Sequence, residues 1–539
     1  MPRLSLITRA ITFLSVLVML PADIGAQNPQ PFKDWKNSSL SDSLIAAPRM
    51  ACESVVSMTG YEFSILSATS VAASGPLPQF CRILGQILPE VRFELSLPAS
   101  WNGRLYMFGN GGYAGEPLDA PGRAMIRHDA LQRGFAVVQT NTGHDAALEP
   151  LGTFAADQQK LIDYAFRAVH VTAITAKRLA QTYYETPVRR SYFNGCSTGG
   201  RQGLMSAQRF PEDFDGVLVG APVLDFASTQ MSGIWNAKAL ASGPLGADHL
   251  KVIADIAYGK CDASDGVRDG VIDDPRSCTF APATDLPRCS AEGASNTCFT
   301  NAQTGALEAI YRGPSGANGS IAPGWPVGAE VASPRGSDAS GPASSGWAGW
   351  FVPSQPAAPS QQLAYGESFM RYMAFGKADP RYDWREFDFD SDPQRMGDIR
   401  RILDATDPDL SRFSSHGGKI LMYFGWADPA LNPLMGVQYY EQLTTTMGQA
   451  SQDFFKLYMV PGMFHCGNGV ATASFDAFTP LVEWVEKGTA PSAITAARVQ
   501  DRKVVRTRPL CPYPQVARYR GTGSTDSAEN FSCVDPDAR

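Results

Sequence analysis

Gly195, Ser197 and Gly199 stand at G-x-S-x-G spacing within Tyr192-Phe-Asn-Gly-Cys-Ser-Thr-Gly-Gly200. A serine is a poor nucleophile unless a base takes its proton, and this spacing suits a sharp strand-to-helix turn that lifts the hydroxyl clear of a sheet edge. The small glycines let neighbouring backbone pass close on either side of the turn. The N–H of Thr198, at the head of the next helix, would point at an oxyanion formed on Ser197. In folds that carry such an elbow the partners follow in the order serine, acid, histidine. That order is restrictive here, because the chain has only six histidines: His128, His144, His170, His249, His416 and His465. Asp428 falls in the turn after the apolar run Lys419-Ile-Leu-Met-Tyr-Phe424, and only His465 lies beyond it. The expected roles are Ser197 as nucleophile, His465 as base and Asp428 as the group that fixes the imidazole tautomer. Asp453 is a weaker rival for the acid, since it precedes its strand. Gly109-Asn-Gly-Gly112 supplies Gly111 or Gly112 as a second oxyanion donor; it lacks the lysine of a phosphate-binding loop.

These residues need a scaffold of alternating strands and helices. Arg104-Leu-Tyr-Met-Phe108, Phe135-Ala-Val-Val-Gln139, 190–193, Asp215-Gly-Val-Leu-Val-Gly220, 419–424 and Phe454-Phe-Lys-Leu-Tyr-Met-Val460 read as buried strands. Helices are expected over 159–182, 201–209 and 475–487. Residues 51–100 alternate apolar and polar positions and read as an antiparallel edge. The fold class is α/β with a mostly parallel central sheet. The rhythm breaks between 224 and 406, which reads as an irregular, loop-rich insertion. Interleaved Trp325, Trp347 and Trp350 argue that it is a folded lid rather than a linker. The expected organisation is a signal segment at 1–26, a first catalytic part at 27–223, the lid at 224–406 and a second catalytic part at 407–539.

The ten cysteines support this arrangement. Neighbour pairing suggests Cys52–Cys81, Cys261–Cys278, Cys289–Cys298 and Cys511–Cys533. Cys196 and Cys466 remain, and each adjoins a candidate catalytic residue. If Ser197 and His465 meet, a Cys196–Cys466 disulfide would staple nucleophile to base. Within the lid, Cys261-Asp-Ala-Ser-Asp-Gly-Val-Arg-Asp-Gly-Val271 offers Asp262, Asp265 and Asp269 as hard oxygen ligands, with the carbonyls of Val267 and Val271 to complete a shell. This loop either holds a structural calcium ion or is a series of solvated Asp turns.

A net charge of −7 and a pI near 5.5 argue against nucleic acid as a partner. Arg3 and Arg9 precede an apolar run from Ala10 to Leu20, with small residues following at Gly25 and Ala26. This is the pattern of a cleaved secretory signal, too short to span a membrane comfortably. The expectation is a secreted or periplasmic protein, with no membrane partner and with disulfides permitted.

The motif GCSTGG, the paired Cys-Ser and His-Cys, the DxxDGVxDGVIDDP loop and the closing RPLCPYPQVARY resemble the tannase and feruloyl esterase family over nearly the whole mature chain. The resemblance implies an α/β-hydrolase fold with a large lid and a lid calcium. It implies hydrolysis of small esters of hydroxylated aromatic acids such as ferulate and gallate. It also implies the triad, the staple and the calcium ligands just named. A branch of this family cleaves terephthalate monoesters and grips the free carboxylate with a lid arginine. Here Ser360 takes that place, with Arg371 as the substitute. Phe424, Leu431 and Thr198 stand where that branch has His, Phe and an acidic residue, while Trp350 matches its lid tryptophan. The alternative from a different class is a non-catalytic aromatic-ligand-binding protein, against which the intact Ser-Asp-His order argues.

Overall fold

The computed structural model describes residues 33–37, 40, 45–290, 295–330, 346–355 and 358–536. The expected signal segment 1–26 lies outside the described residues, as does 331–345 of the insertion. No helix among the described residues is long and apolar enough to cross a membrane.

Among the described residues nine strands form one sheet: β1 Phe63–Val71, β2 Phe80–Ile87, β3 Val91–Pro98, β4 Arg104–Phe108, β5 Ala136–Thr140, β6 Arg190–Ser197, β7 Gly216–Pro222, β8 Lys419–Gly425 and β9 Phe455–Val460. Their spatial order is β1-β2-β3-β5-β4-β6-β7-β8-β9. The first three pair antiparallel, and β3 pairs antiparallel with β5. From β5 onward every neighbour is parallel. The parallel strands are buried on both faces, so their sequences are continuous apolar runs. Successive side chains still divide between the faces. Leu105 and Met107 of β4 enter one core, and Tyr106 and Phe108 enter the other.

The crossovers are helical. Helix α1 (Pro121–Leu131) joins β4 to β5. The β5–β6 connection is helical from Gln158 to Tyr184, with a π turn over Asp163–Arg167 ahead of α2 (Ala168–Tyr184). Helix α3 (Thr198–Arg209) joins β6 to β7.

Between β7 and β8 the described residues add no strand to the main sheet. The expectation of an irregular insertion is corrected: it contains helices α4 (Phe226–Ser242), α5 (Ala247–Cys261), α6 (Asn301–Arg312) and α7 (Gln361–Tyr372). Their start signals are local. Asp225 caps α4, and Ser360 caps α7. Thr300 and Gln303 form a capping box on α6, a T-x-x-Q pattern visible in the sequence. Helices α8 (Pro433–Met447) and α9 (Phe478–Lys487) follow β8 and β9.

The C-terminal region adds two hairpin-like sheets that the sequence reading did not anticipate: β10 Ile494–Gln500 with β11 Lys503–Leu510, and β12 Val516–Tyr519 with β13 Phe531–Val534. The turn between β10 and β11 is Asp501-Arg502, both at positive φ (48° and 62°). Asn-Gly would have announced such a turn; Asp-Arg does not.

Helix α9 is fastened to the middle of the sheet by charge. The Glu486 carboxylate accepts two hydrogen bonds from the buried Arg104 guanidinium, each 2.7 Å, and one from the Tyr192 hydroxyl at 2.8 Å. Burial pushes the Glu486 carboxyl up, but Arg104 and Tyr192 outweigh it and hold it below its ordinary value. A carboxyl lowered by folding stabilises the native state above its unfolded pKa, and that contribution is lost as pH falls through the folded value. Glu486→Gln is therefore expected to lower stability by about 3 kcal/mol in urea unfolding at neutral pH, because it leaves Arg104 buried without its counter-charge. The difference from wild type should shrink below about pH 4, where the native carboxylate also protonates.

Candidate active site

Ser197 ends β6 and precedes α3 with φ 62° and ψ −121°, a backbone conformation that a non-glycine residue rarely adopts. The turn is tight enough that a Cβ on Gly195 would lie 2.5 Å from the backbone carbon of Gly199. A Cβ on Gly200 would lie 2.5 Å from the carbonyl oxygen of Gly220 on β7. Both glycines are therefore required by close approach. Cys196 and Thr198 are buried, whereas Ser197 between them is partly exposed. The sequence reading of the elbow corresponds to the observed strand, turn and helix.

His465 follows β9, and Asp428 lies in the turn after β8. The imidazole Nδ1 donates to Asp428 Oδ2 at 2.9 Å. The other carboxylate oxygen accepts the N–H groups of Ala430 (2.8 Å) and Leu431 (3.0 Å), so the acid is fixed on both sides. Asp428 is 1% exposed. Asp453 precedes β9 at the opposite end of that strand from His465. Cys196 and Cys466 are bonded, with their Cα atoms 6.0 Å apart. Ser197 and His465 are thus the chain neighbours of two covalently joined residues, and His465 Nε2 lies 3.7 Å from the Cys466 sulfur. The other four disulfides are the expected Cys52–Cys81, Cys261–Cys278, Cys289–Cys298 and Cys511–Cys533.

The Gly109–Gly112 loop runs beside the elbow. Gly111 donates its N–H to Glu116. That group is engaged, which corrects Gly111 as a candidate donor and leaves Gly112. The Gly112 carbonyl accepts from the Thr198 hydroxyl and, at 3.1 Å, from the Tyr164 hydroxyl. Burial pushes the Tyr164 hydroxyl up from its ordinary value, keeping it a donor. Glu116 is buried and paired at 3.0 Å with the fully buried Arg123. Glu116, Arg123 and Tyr164 escaped the sequence reading because they belong to no motif; only the fold brings them to the loop.

The insertion reaches this site. The Trp350 ring meets His465 edge-on at 5.7 Å, and its indole N–H has no partner among the described residues. Leu431 borders the Asp428 turn. Phe424 is corrected: it is completely buried within β8, its ring against Gly436 of α8, so it supports the turn instead of lining it. Ser360 accepts the Leu363 N–H at 3.3 Å as a helix cap. Arg371 donates to Glu367 (2.8 Å) and to the Tyr382 carbonyl (3.1 Å). A cleft of about 720 Å³ lies along α8 and the 320–323 segment; Ser197, Asp428, His465 and Trp350 are not among the residues lining it.

In the acidic loop, Asp262 Oδ1 accepts N–H groups from Asp269 (3.0 Å), Gly270 (2.9 Å) and Val271 (3.3 Å). Asp265 accepts the Val267 N–H at 2.9 Å. Asp269 pairs with Arg508 and, at 3.3 Å, with Arg506, both from β11. Asp273, absent from the expected set, is pushed well up by burial and by the Asp265 and Asp269 carboxylates. Among the described residues, no three His, Cys, Asp or Glu side chains form a group that would hold a metal ion by themselves. A void of about 20 Å³ adjoins Asp269, Val271 and Asp273, with Arg506 and Arg508 also on its wall.

Residues 78–534 match the protein family described as tannase and feruloyl esterase. The chain is 33% identical over 531 residues to mono(2-hydroxyethyl) terephthalate hydrolase of Piscinibacter sakaiensis, covering 87% of each. It is 32% identical over 461 residues to a probable feruloyl esterase of Arthroderma benhamiae, covering 82% of this chain and 81% of the relative. The crystal structure of feruloyl esterase B from Aspergillus oryzae superposes with a TM-score of 0.77 at 27% identity, covering 90% of this chain and 100% of that one.

The Cys196–Cys466 bond should matter for rate as well as stability. Replacing both cysteines by alanine is expected to lower stability by about 3 kcal/mol. Ester hydrolysis measured well below the variant's unfolding temperature should also fall, since the two tethered neighbours would no longer be held in register.

Proposed function

The chain belongs to the tannase and feruloyl esterase family and is a carboxylic ester hydrolase, and on that premise we propose that Ser197, His465 and Asp428 act as its catalytic triad on esters of hydroxylated aromatic acids. The observation that carries the reading is the pairing of the 2.9 Å His465–Asp428 hydrogen bond with the disulfide joining the residues beside Ser197 and His465.

In this mechanism His465 Nε2 takes the Ser197 proton as Oγ attacks the ester carbon. The oxyanion is received by the N–H groups of Thr198 and Gly112. Collapse expels the alcohol, which leaves with the proton held by His465, and an acyl-serine remains. Water then attacks the acyl carbon with His465 again as base, releasing the acid and restoring Ser197. Asp428 holds Nδ1–H throughout and stabilises the imidazolium. Trp350 and Leu431 offer an aromatic face and an apolar wall for the acyl group. Of the residues placed to grip a second carboxylate, Ser360 caps a helix and Arg371 is held by Glu367 and the Tyr382 carbonyl. This favours ferulate- or gallate-type acyl groups over a terephthalate monoester.

The proposal extends to export, with a signal at 1–26 and five disulfides suited to an oxidising compartment. It also extends to calcium in the acidic loop. The donors are all oxygen, and the buried Asp273 crowds against Asp265 and Asp269, a set of carboxyl groups whose mutual repulsion a hard cation would relieve. Asp262, Asp265 and Asp269, with the carbonyls of Val267 and Val271, would hold it. The ion would serve to neutralise and cross-link the loop.

Wild type should form a covalent adduct with a fluorophosphonate on Ser197, and Ser197→Ala should lose both labelling and at least about 10⁴-fold in turnover. An unlabelled wild type would remove Ser197 from the role of nucleophile. Steady-state rates on methyl ferulate, methyl gallate and mono(2-hydroxyethyl) terephthalate should rank the terephthalate ester last. Chelation with EGTA is expected to lower the melting temperature, and excess calcium to restore it; an unchanged melting curve would remove the ion from the account.

A further inference from the structure

The loop beside Ser197 is held at both ends of one peptide unit, by residues outside the triad. On its near side the Gly111 N–H is taken by Glu116 Oε1, and the other Glu116 oxygen accepts the Asn110 side-chain amide. Glu116 is 4% exposed, and Arg123, 0% exposed, neutralises it. On the far side the Gly112 carbonyl accepts two hydroxyls, from Thr198 and Tyr164. Tyr164 lies in the π turn of the β5–β6 connection. Two backbone carbonyls of that turn, Tyr164 (3.2 Å) and Ala165 (2.9 Å), accept from Arg201, one turn past Ser197 on α3. Between these clamps lies the Gly111–Gly112 peptide, with Gly112 at φ 48° and its α-carbon packed so closely on Tyr365 that a Cβ would lie 2.7 Å from that hydroxyl.

We propose that Glu116 and Tyr164 are positioning residues that orient the Gly112 N–H as an oxyanion donor, acting through the loop and touching no substrate. The inference rests on the serine-esterase reading above and adds to it which side chains preset the donor. Electrostatics makes the test selective. A carboxylate close to a developing oxyanion opposes it, so removing the Glu116 charge would by itself favour the transition state. A loss of rate in Glu116→Gln therefore reports lost orientation. The glutamine keeps one acceptor for Gly111 but turns an NH₂ toward the Asn110 amide and Arg123, two donors.

The experiment measures kcat and KM on an aryl ester, together with binding of phenylboronic acid and of benzoate, for wild type, Glu116→Gln and Tyr164→Phe. Phenylboronic acid forms a tetrahedral adduct on the serine and reads the oxyanion donors; benzoate binds without forming one. Glu116→Gln is expected to lose about 10- to 100-fold in kcat, part of the loss typical of deleting an oxyanion donor. Boronate affinity should fall in parallel, with KM and benzoate affinity within about 3-fold of wild type. Tyr164→Phe, which removes one of two donors to the Gly112 carbonyl, should lose about 3- to 10-fold by the same two readouts. If Glu116→Gln does not fold, Tyr164→Phe decides alone. An active wild type whose folded variants keep kcat and boronate affinity overturns the positioning inference and leaves the esterase reading standing. So does a loss confined to KM and benzoate binding. A wild type without turnover or boronate adduct overturns the esterase reading, and this inference with it.

Discussion

A separation across the sheet sets the central problem of this molecule. Ser197 leaves the end of β6 and His465 follows β9, three strands away in the sheet order. At the usual spacing between strands that separation is about 14 Å. The loop after β9 must therefore fold back over the ends of β8 and β7 before an imidazole can approach the elbow. The Cys196–Cys466 bond closes that path covalently. Backbone contacts assist it: the Ala427 N–H reaches the Met463 carbonyl at 3.1 Å, so the acid's turn and the histidine's loop are laced together. The large insertion between β7 and β8 can then exist without pulling the two halves apart, because the site is fastened below it.

Much of this was legible in the sequence because it is periodic or local. The parallel strands announce themselves as apolar runs, the elbow as closely spaced glycines about a serine, and the histidine by elimination among six. Nearest-neighbour cysteines paired as their spacing suggested. What was not legible depends on contacts between distant segments. Tyr164 looks like any helix tyrosine until the fold brings its hydroxyl to the Gly112 carbonyl, 52 residues earlier. Asp273 and the arginines of β11 belong to a loop and a strand far apart in the chain. Phe424 was misjudged because alternation along β8 places it in the core. The insertion's helices were passed over although Thr300 and Gln303 mark one start, since the Gly- and Pro-rich stretch nearby drew attention from capping signals.

Charge is used sparingly but at structural junctions. Arg104–Glu486 fastens the last helix, Arg123–Glu116 backs the loop beside the serine, and Arg508–Asp269 fixes the acidic loop of the insertion to the C-terminal strands. Each fixes the register of segments that pack against one another. Hydrophobic burial supplies most of the stability of such a fold but is tolerant of small slips. Paired charges with fixed geometry are less tolerant, and here they sit where register matters.

The pattern of cysteine pairing bears on how the chain is made. Four bonds join partners 9 to 29 residues apart, but Cys196 must wait for a partner 270 residues later. During synthesis or translocation from the N-terminus, the next thiol to emerge after Cys196 is Cys261, whose native mate is Cys278. An oxidant that joins cysteines in order of appearance would capture the wrong couple and leave Cys466 without its mate. Faithful maturation therefore calls for a shuffling catalyst as well as an oxidising one, and yield in a heterologous host should track its isomerase capacity more closely than its oxidase capacity.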